Sequence, residues 1–285
     1  MFQLLKHRRK FFQFTQCYAL SGDGTVTTSG DYKIHKFSSS GTFHVQESGN
    51  YTIIDNMVWY MVLAGGGAGG CYYANFGGGG GGGMVTNSTY DHEVIIQDYS
   101  ITVGAGGAGG TPTYKGNNSV FDTITAIGGG CAQDGNSGGA GSGKVNMTSG
   151  GAGSQGGDGG ASDHAWCGGG GGGGGASGQD GIRATKYEAP AGVCGDGGDG
   201  TLSSITGSSI RYAGGGGGGG YSHCGGVGGA GGGGRGSSGN AVGLPGTNGL
   251  GGGGGAGGAY YSGAVLSKDG GAGGNGVVII RYKFQ

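Results

Sequence analysis

Six cysteines, six histidines and one lysine set in a glycine loop are the groups in this sequence whose chemistry could reach beyond packing. Cys71 and Cys131 close glycine blocks, while Cys167, Cys194 and Cys224 open them. Five thiols therefore fall at block ends, where antiparallel neighbours could bring pairs together. Three outcomes are open to them. His164 with Cys167 and His223 with Cys224 could hold zinc, although two such pairs lack the ligand spacing of a standard site. Disulfides are the second outcome, though a protein assembled in cytosol would keep its thiols reduced. Buried, inert thiols are the third, and the one that the apolar character of sulfur favours.

"GGAGSGKV" at 138–145 approaches a phosphate-binding loop, but Val145 stands where the magnesium-binding Ser or Thr belongs, and no helical pattern follows. Matches to G-x-G-x-x-G arise by chance in such a chain and mean nothing without a strand before and a helix after. No nucleophile elbow between strand and helix, no H-E-x-x-H and no carboxylate pair in an apolar setting is legible. Asp158, Asp196 and Asp199 read as solubilising charges. The Asn-x-Ser/Thr matches at Asn50, Asn87, Asn117 and Asn146 carry no weight in so Ser- and Thr-rich a chain. The sequence thus reads as non-enzymatic, with no cofactor and no metal implied.

Recognition is the chemistry that does have candidates. Tyrosine recurs between glycine blocks, in "CYYANF" at 71–76, "IRATKYEAP" at 182–190, "GYSH" at 220–223 and "AYYSG" at 259–263, with "DHAW" at 163–166 beside them. Aromatics there could simply cap a lattice that has no side chains of its own. Tyrosine on a rigid scaffold also gives large amphipathic contact area at low entropic cost, which favours a binding surface. The candidate contacts are Tyr72, Tyr73, Phe76, Trp166, Arg183, Tyr187 and Tyr221.

What must hold those loops is unusual. Of 285 residues 87 are Gly and 3 are Pro, which excludes collagen, and 15 Tyr with 9 Phe argue against plain disorder. The blocks have a period of three: Ala152, Gln155, Asp158, Ala161, His164 and Cys167 are spaced so, as are Val193, Asp196 and Asp199, Cys224, Val227 and Ala230, Ala105 and Ala108, and Asp269, Ala272 and Asn275. Three residues per turn is the polyproline II repeat, which has no internal hydrogen bonds. Its backbone groups must then be satisfied by neighbours, so such rods must bundle. Rods with a side chain at every third residue should be peripheral, and the bare runs at 77–83, 168–175 and 214–220 central.

Around the blocks lie strands. "DYKIHKFSSSGTFHV", "NYTIIDNMVWYMVLA", "HEVIIQDYSITV" at 92–103, "SVFDTITAI" at 119–127 and "GVVIIRYKF" at 276–284 are β-branched and aromatic, with Val278, Ile280, Tyr282 and Phe284 sharing one face. The expected fold is all-β: a β-sandwich of jelly-roll or TNF-like kind with an inserted polyglycine II bundle and almost no α-helix. Residues 1–20 form an arm, 21–127 mainly sandwich strands with the first glycine inserts, 128–275 the polyglycine II domain and 276–285 a strand returning to the sandwich.

The chain is near neutral, with 15 Lys+Arg against 16 Asp+Glu, so a broad nucleic-acid surface is not supported. No apolar run approaches the roughly 20 residues that span a bilayer, and charge interrupts the N-terminal stretch where a signal peptide would be continuous. Phe2, Leu4, Leu5, Phe11, Phe12 and Phe14 give the arm more apolar surface than a tail should leave in water, so it is expected to dock into a partner.

The segments "TSGDYKIHKFSSSGTFHV", "MVLAGGGAGG", "SITVGAGGAGG", "SVFDTITAIGGG", "YAGGGGGGG" and "GGAGGNGVVIIRY" resemble glycine-rich proteins of bacteriophage tail-fibre tips and other virion structural proteins, over about residues 22–285. The order of parts is also similar to the extracellular glycine-rich domain of anaplastic-lymphoma-kinase-type receptors. The first resemblance implies a virion protein, assembled in the host cytoplasm as part of a symmetric assembly. Its partners would be other virion proteins and, through the loops, a host surface glycan or outer-surface protein. A capsid-associated decoration protein and an extracellular ligand-binding module are the alternatives.

Overall fold

The computed structural model describes residues 24–45, 57–70, 76–87, 89–110, 113–132, 138, 143, 150–161, 167–175, 194–220, 225–261 and 265–283. These hold strands and no helix: β1 (Gly24–Ser29), β2 (Tyr32–Phe37), β3 (Gly41–Val45), β4 (Met57–Leu63), β5 (Met84–Thr86), β6 (His92–Glu93), β7 (Gln97–Thr102), β8 (Ser119–Phe121), β9 (Ile124–Ala126), β10 (Thr201–Ser203), β11 (Ile210–Tyr212), β12 (Ala259–Tyr261), β13 (Val265–Ser267) and β14 (Val277–Lys283). The fold is all-β, as expected. One sheet runs β1-β2-β14-β4-β5, with β6 also on β4, and a second runs β3-β7-β8-β9. β14, the last strand in sequence, sits between β2 and β4, pairing Ile280 with His35 on one side and Tyr60 on the other. The first sheet therefore closes only when the end of the chain arrives.

Alternation builds the core between the two sheets. Phe43 and Val45 of β3, Tyr99 and Ile101 of β7 and Phe121 of β8 meet Phe37, Val58, Val62, Val278, Ile280 and Tyr282 of the first sheet. The expected shared face of the last strand is thus buried as far as Tyr282, and Phe284 lies outside the described residues. Val277 and Ile279 point the other way, into a second cluster with Ile34, Met61 and Leu63, roofed by Ile205 and Tyr212 around the β10-β11 hairpin. β14 is therefore buried on both faces, which explains its unbroken "VVII" run.

The glycine segments bond sideways, also with a period of three. In 64–70 the N–H groups of Ala64, Gly67 and Gly70 donate to Gly83, Gly80 and Gly77, those of Gly65 and Ala68 to Asn117 and Tyr114, and those of Gly66 and Gly69 to Gly274 and Gly271. Its carbonyls accept from three further segments, through Gly129, Gly107 and Gly254. One segment is thus bonded to six neighbours, and no bond runs along it. The approach is close enough that a methyl built on Gly66, Gly67 or Gly69 would fall inside 3.0 Å of a neighbouring carbonyl oxygen.

The bare runs are interior over 77–83, 168–173 and 214–220, which are buried throughout, whereas Gly174 is half-buried and Gly175 exposed, so the run expected at 168–175 reaches the surface at its end. Segments 64–70 and 251–259 are also buried throughout, although these carry Ala64, Ala68, Ala256 and Ala259, each wholly buried. A methyl group is small enough to be housed at chosen interior positions, so an alanine does not mark a segment as peripheral. The lattice also reaches outside 128–275, because 64–70, 76–83, 104–109 and 113–118 belong to it.

Many period-three side chains point outward, Ala105, Ala108, Ala152, Asp158, Asp199, Val227, Ala230 and Asp269 being exposed, but Gln155, Ala161, Asp196, Ala272 and Asn275 are half-buried and Cys167 is buried. The aspartates, however, do more than solubilise. A segment at the lattice boundary lacks neighbours on one side, so some of its N–H groups have no carbonyl to meet. Asp196 Oδ1 accepts from Val227 N at 2.6 Å, Asp199 Oδ1 from Ala230 N at 2.8 Å, Asp158 Oδ1 from Gly153 N at 2.7 Å and Asn275 Oδ1 from Gly106 N at 2.9 Å. Asp196 and Asp199 are one period apart and serve two donors one period apart. Asp199→Ala should destabilise the fold by about 1 kcal/mol, the usual net worth of one such bond. Asp199→Asn, which keeps an acceptor oxygen, should recover most of that in thermal unfolding.

Candidate functional site

Among the described residues, one surface gathers aromatic rings, cations and a cleft. It lies on the second-core side of the first sheet, past the end of the β10-β11 roof. Ladder registry sets Arg281 of β14 opposite Trp59 of β4 and Ile34 of β2, and Lys283 opposite Tyr32. The Arg281 guanidinium sits 4.3 Å from the Tyr32 ring centroid and 5.4 Å from that of Trp59, a cation–π arrangement on two rings. Its Nη1 also donates to the Ile205 carbonyl at 3.2 Å. The arginine thus ties the sheet end to the loop after β10.

A short loop brings the remaining ring. After β5, Asn87 is buried and spans the edge of β4: Tyr60 N donates to its Oδ1 at 2.7 Å and its Nδ2 donates to Val58 O at 2.9 Å. The same Nδ2 donates to Asp91 Oδ1 at 2.6 Å, and Thr89 Oγ1 donates to Asp91 Oδ2 at 2.9 Å. Hydrogen bonds from Asn87 and Thr89 hold the Asp91 carboxyl below the ordinary carboxylate range. Fixed this way, Tyr90 stacks on Tyr32 with centroids 5.6 Å apart and meets Trp59 edge-on at 6.2 Å. Burial is the main cause pushing the Tyr90 phenol up, against the opposing charge of Arg281. Tyr32, Met57, Tyr90 and Lys283 line a cleft of about 110 Å³. Such a surface can hold a partner by ring contact and by donors from hydroxyl and ammonium groups. Nothing in it pairs a nucleophile with a base.

Of the sequence-predicted contacts, Tyr72, Tyr73, Trp166, Arg183, Tyr187 and Tyr221 lie outside the described residues, as do Phe2, Leu4, Leu5, Phe11, Phe12 and Phe14 of the arm. Phe76 is described, and it corrects the reading of that residue: it is 2% exposed, its carbonyl accepting from Gly219 N, so it closes the lattice from inside and is not available to a receptor. The cluster around Tyr90 was not foreseen. Its three rings and one guanidinium come from positions 32, 59, 90 and 281, which only tertiary pairing unites.

The cysteines divide. Cys131 and Cys167 are buried, while Cys194, also buried, is disulfide-bonded, its Sγ 3.2 Å from the Gly219 carbonyl oxygen and packed with Cys167. For Cys194 the inert-thiol reading is therefore replaced by a crosslink. Cys71, Cys224, His164 and His223 lie outside the described residues. No three of His, Cys, Asp or Glu among the described residues are grouped to hold a metal ion.

The fold and surface define a glycine-rich all-β protein in which a backbone-bonded lattice is attached to paired antiparallel sheets. Residues 38–283 match the family model described as a glycine-rich domain, and the chain belongs to that family. No curated protein matches the sequence.

Proposed function

We propose that the chain is a non-enzymatic virion structural protein, of the tail-fibre or spike adhesin kind, whose lattice displays loops to a host surface. The laterally bonded glycine segments are, on this reading, polyglycine II helices, as their period of three suggests. The observation that carries the proposal is that the interior of the lattice is held by backbone-to-backbone bonds, with side chains such as Asp196, Asp199 and Asn275 serving donors at its boundary. Side chains at the segment ends are then not needed for its cohesion and can be devoted to contact, on a support too tightly packed to yield.

The partners would be a host glycan or outer-surface protein at Tyr72, Tyr73, Trp166, Arg183, Tyr187 and Tyr221, and other virion proteins at the arm. Truncating an anchoring aromatic typically costs about 2 kcal/mol or more, roughly thirtyfold in affinity. Alanine at Tyr72, Tyr73, Trp166 or Tyr187 should therefore weaken cell attachment by that order while the far-ultraviolet circular dichroism stays unchanged. The protein should also occur at fixed stoichiometry in purified virus particles. Unchanged attachment with failed particle assembly would make the loops structural caps and the protein a decoration component.

A second reading, an extracellular ligand-binding module, is favoured by one observation. The disulfide at Cys194 suits an oxidising compartment better than the cytosol. Recovery of the protein only from host membranes or culture medium, and never from particles, would select it.

A further inference from the structure

β1 is an edge strand, and among the described residues it pairs with β2 alone. Its sequence, GTVTTS, contains no charge and no proline, and the four central residues are exposed. All four are β-branched, the side chains that best fit a pleated ladder. Among the described residues nothing pairs with the row of backbone N–H and C=O groups on its other side. Soluble proteins ordinarily blunt such an edge with lysine, proline, a bulge or shortness. Three of the other edge strands are short, β5 and β9 having three residues each and β6 two.

We propose that β1 is an interface between two copies of this chain, paired antiparallel about a twofold axis so that two sheets become one. The strand is fitted to itself. With the axis normal to the sheet, residues opposite each other must lie on the same face, so Val26 meets Val26 of the second copy and Thr25 meets its Thr27. No charges oppose one another across the seam. Val26 lies opposite His35 in the β1-β2 ladder and so on the side of the first core, yet it is 45% exposed because the second sheet does not reach it. Pairing covers it with an identical valine. Lys33 and Lys36 on β2 stand one strand back, so the two copies' lysine rows are about 14 Å apart at three strand spacings, beyond the ~8 Å screening length of physiological salt. Such a contact is isologous and closes at two copies, as most soluble assemblies do.

The test is sedimentation velocity on the full chain across the micromolar range. The wild type is expected to dimerise. Val26→Lys places like charges directly opposite and should raise the dissociation constant roughly tenfold or more, with the thermal midpoint of the monomer unchanged because the side chain is half in solvent. Should that variant unfold, the double variant Thr25→Lys/Thr27→Lys repeats the test on the other face, where its lysines again oppose one another. Deleting residues 1–20 should leave the dimer intact. The proposal is overturned if the wild type stays monomeric, if the lysine variants dimerise as well as wild type, or if a dimer appears only after residues 1–20 are removed, which would make the arm the natural occupant of this edge.

Discussion

Gly216→Ala is expected to cost the fold about 3 kcal/mol or more, at the upper end of what overpacking a core costs. Gly216 donates its N–H to Gly79 O at 2.8 Å and accepts at its carbonyl from Gly171 N at 2.8 Å. A third segment faces the Cα itself: the added methyl would lie inside 3.0 Å of the Gly254 carbonyl oxygen and carbon. All of these are backbone atoms, so no side chain can swing aside. The segments must separate, and each lateral bond stretched or lost removes about 1 kcal/mol. Alanine in place of glycine also stiffens the unfolded chain, a stabilisation of about 0.4–1 kcal/mol, which is too small to reverse the sign. Ala108→Ser, at an exposed period-three position, should be neutral. Chemical denaturation reads both, and an unchanged midpoint for Gly216→Ala would mean that close approach at Gly254 is not what requires glycine there.

That contrast marks how far the sequence could be read. The period of three was visible because side chains recur among the glycines at 105 and 108, 196 and 199, and 227 and 230. The hydrogen bonds repeat with the same period. The first core was visible in the alternation around Phe43 and Val45. Other features carried no local signal. The interior position of 64–70 and 251–259 depends on which neighbour each alanine methyl meets, which is not a property of the segment. The aspartates at 196 and 199 look like solvated charges until the donors on 227 and 230 are brought beside them. Nor could Tyr90 be linked to Arg281, since the two meet only because β14 returns beside β4. The disulfide at Cys194 depended on fold geometry, and the spacing of thiols had left it open.

His35 should make the protein acid-labile in a defined window. It lies on β2 in the middle of the first sheet, 1% exposed, its ring stacked on Tyr282 at 5.5 Å and meeting Phe43 edge-on at 5.3 Å. Its Nε2 lies 3.2 Å from the Tyr282 hydroxyl, while Nδ1 finds no partner among the described residues. A protonated ring would carry two donors, one of them buried and unmet, beside the positive charge of Lys33. Burial first, and Lys33 second, lower its pKa from 6.5 to about 4. The folded state therefore binds this proton less readily than the unfolded chain. Stability is fully present above pH 6.5, falls as the pH drops from 6.5 to 4, and levels off below that, a loss of about 3 kcal/mol for a shift of this size. Asp91, whose carboxyl is held low, adds a loss of the same sign at lower pH, so wild-type data alone would mix the two. His35→Phe separates them, since phenylalanine fills the site between Phe43 and Tyr282 without a titrating group. The variant should lose the Tyr282 hydrogen bond at every pH, yet its stability should be flat between pH 6.5 and 4 where that of the wild type falls. If chemical denaturation at a series of pH values gave parallel curves for the two proteins, the acid lability would belong to other groups.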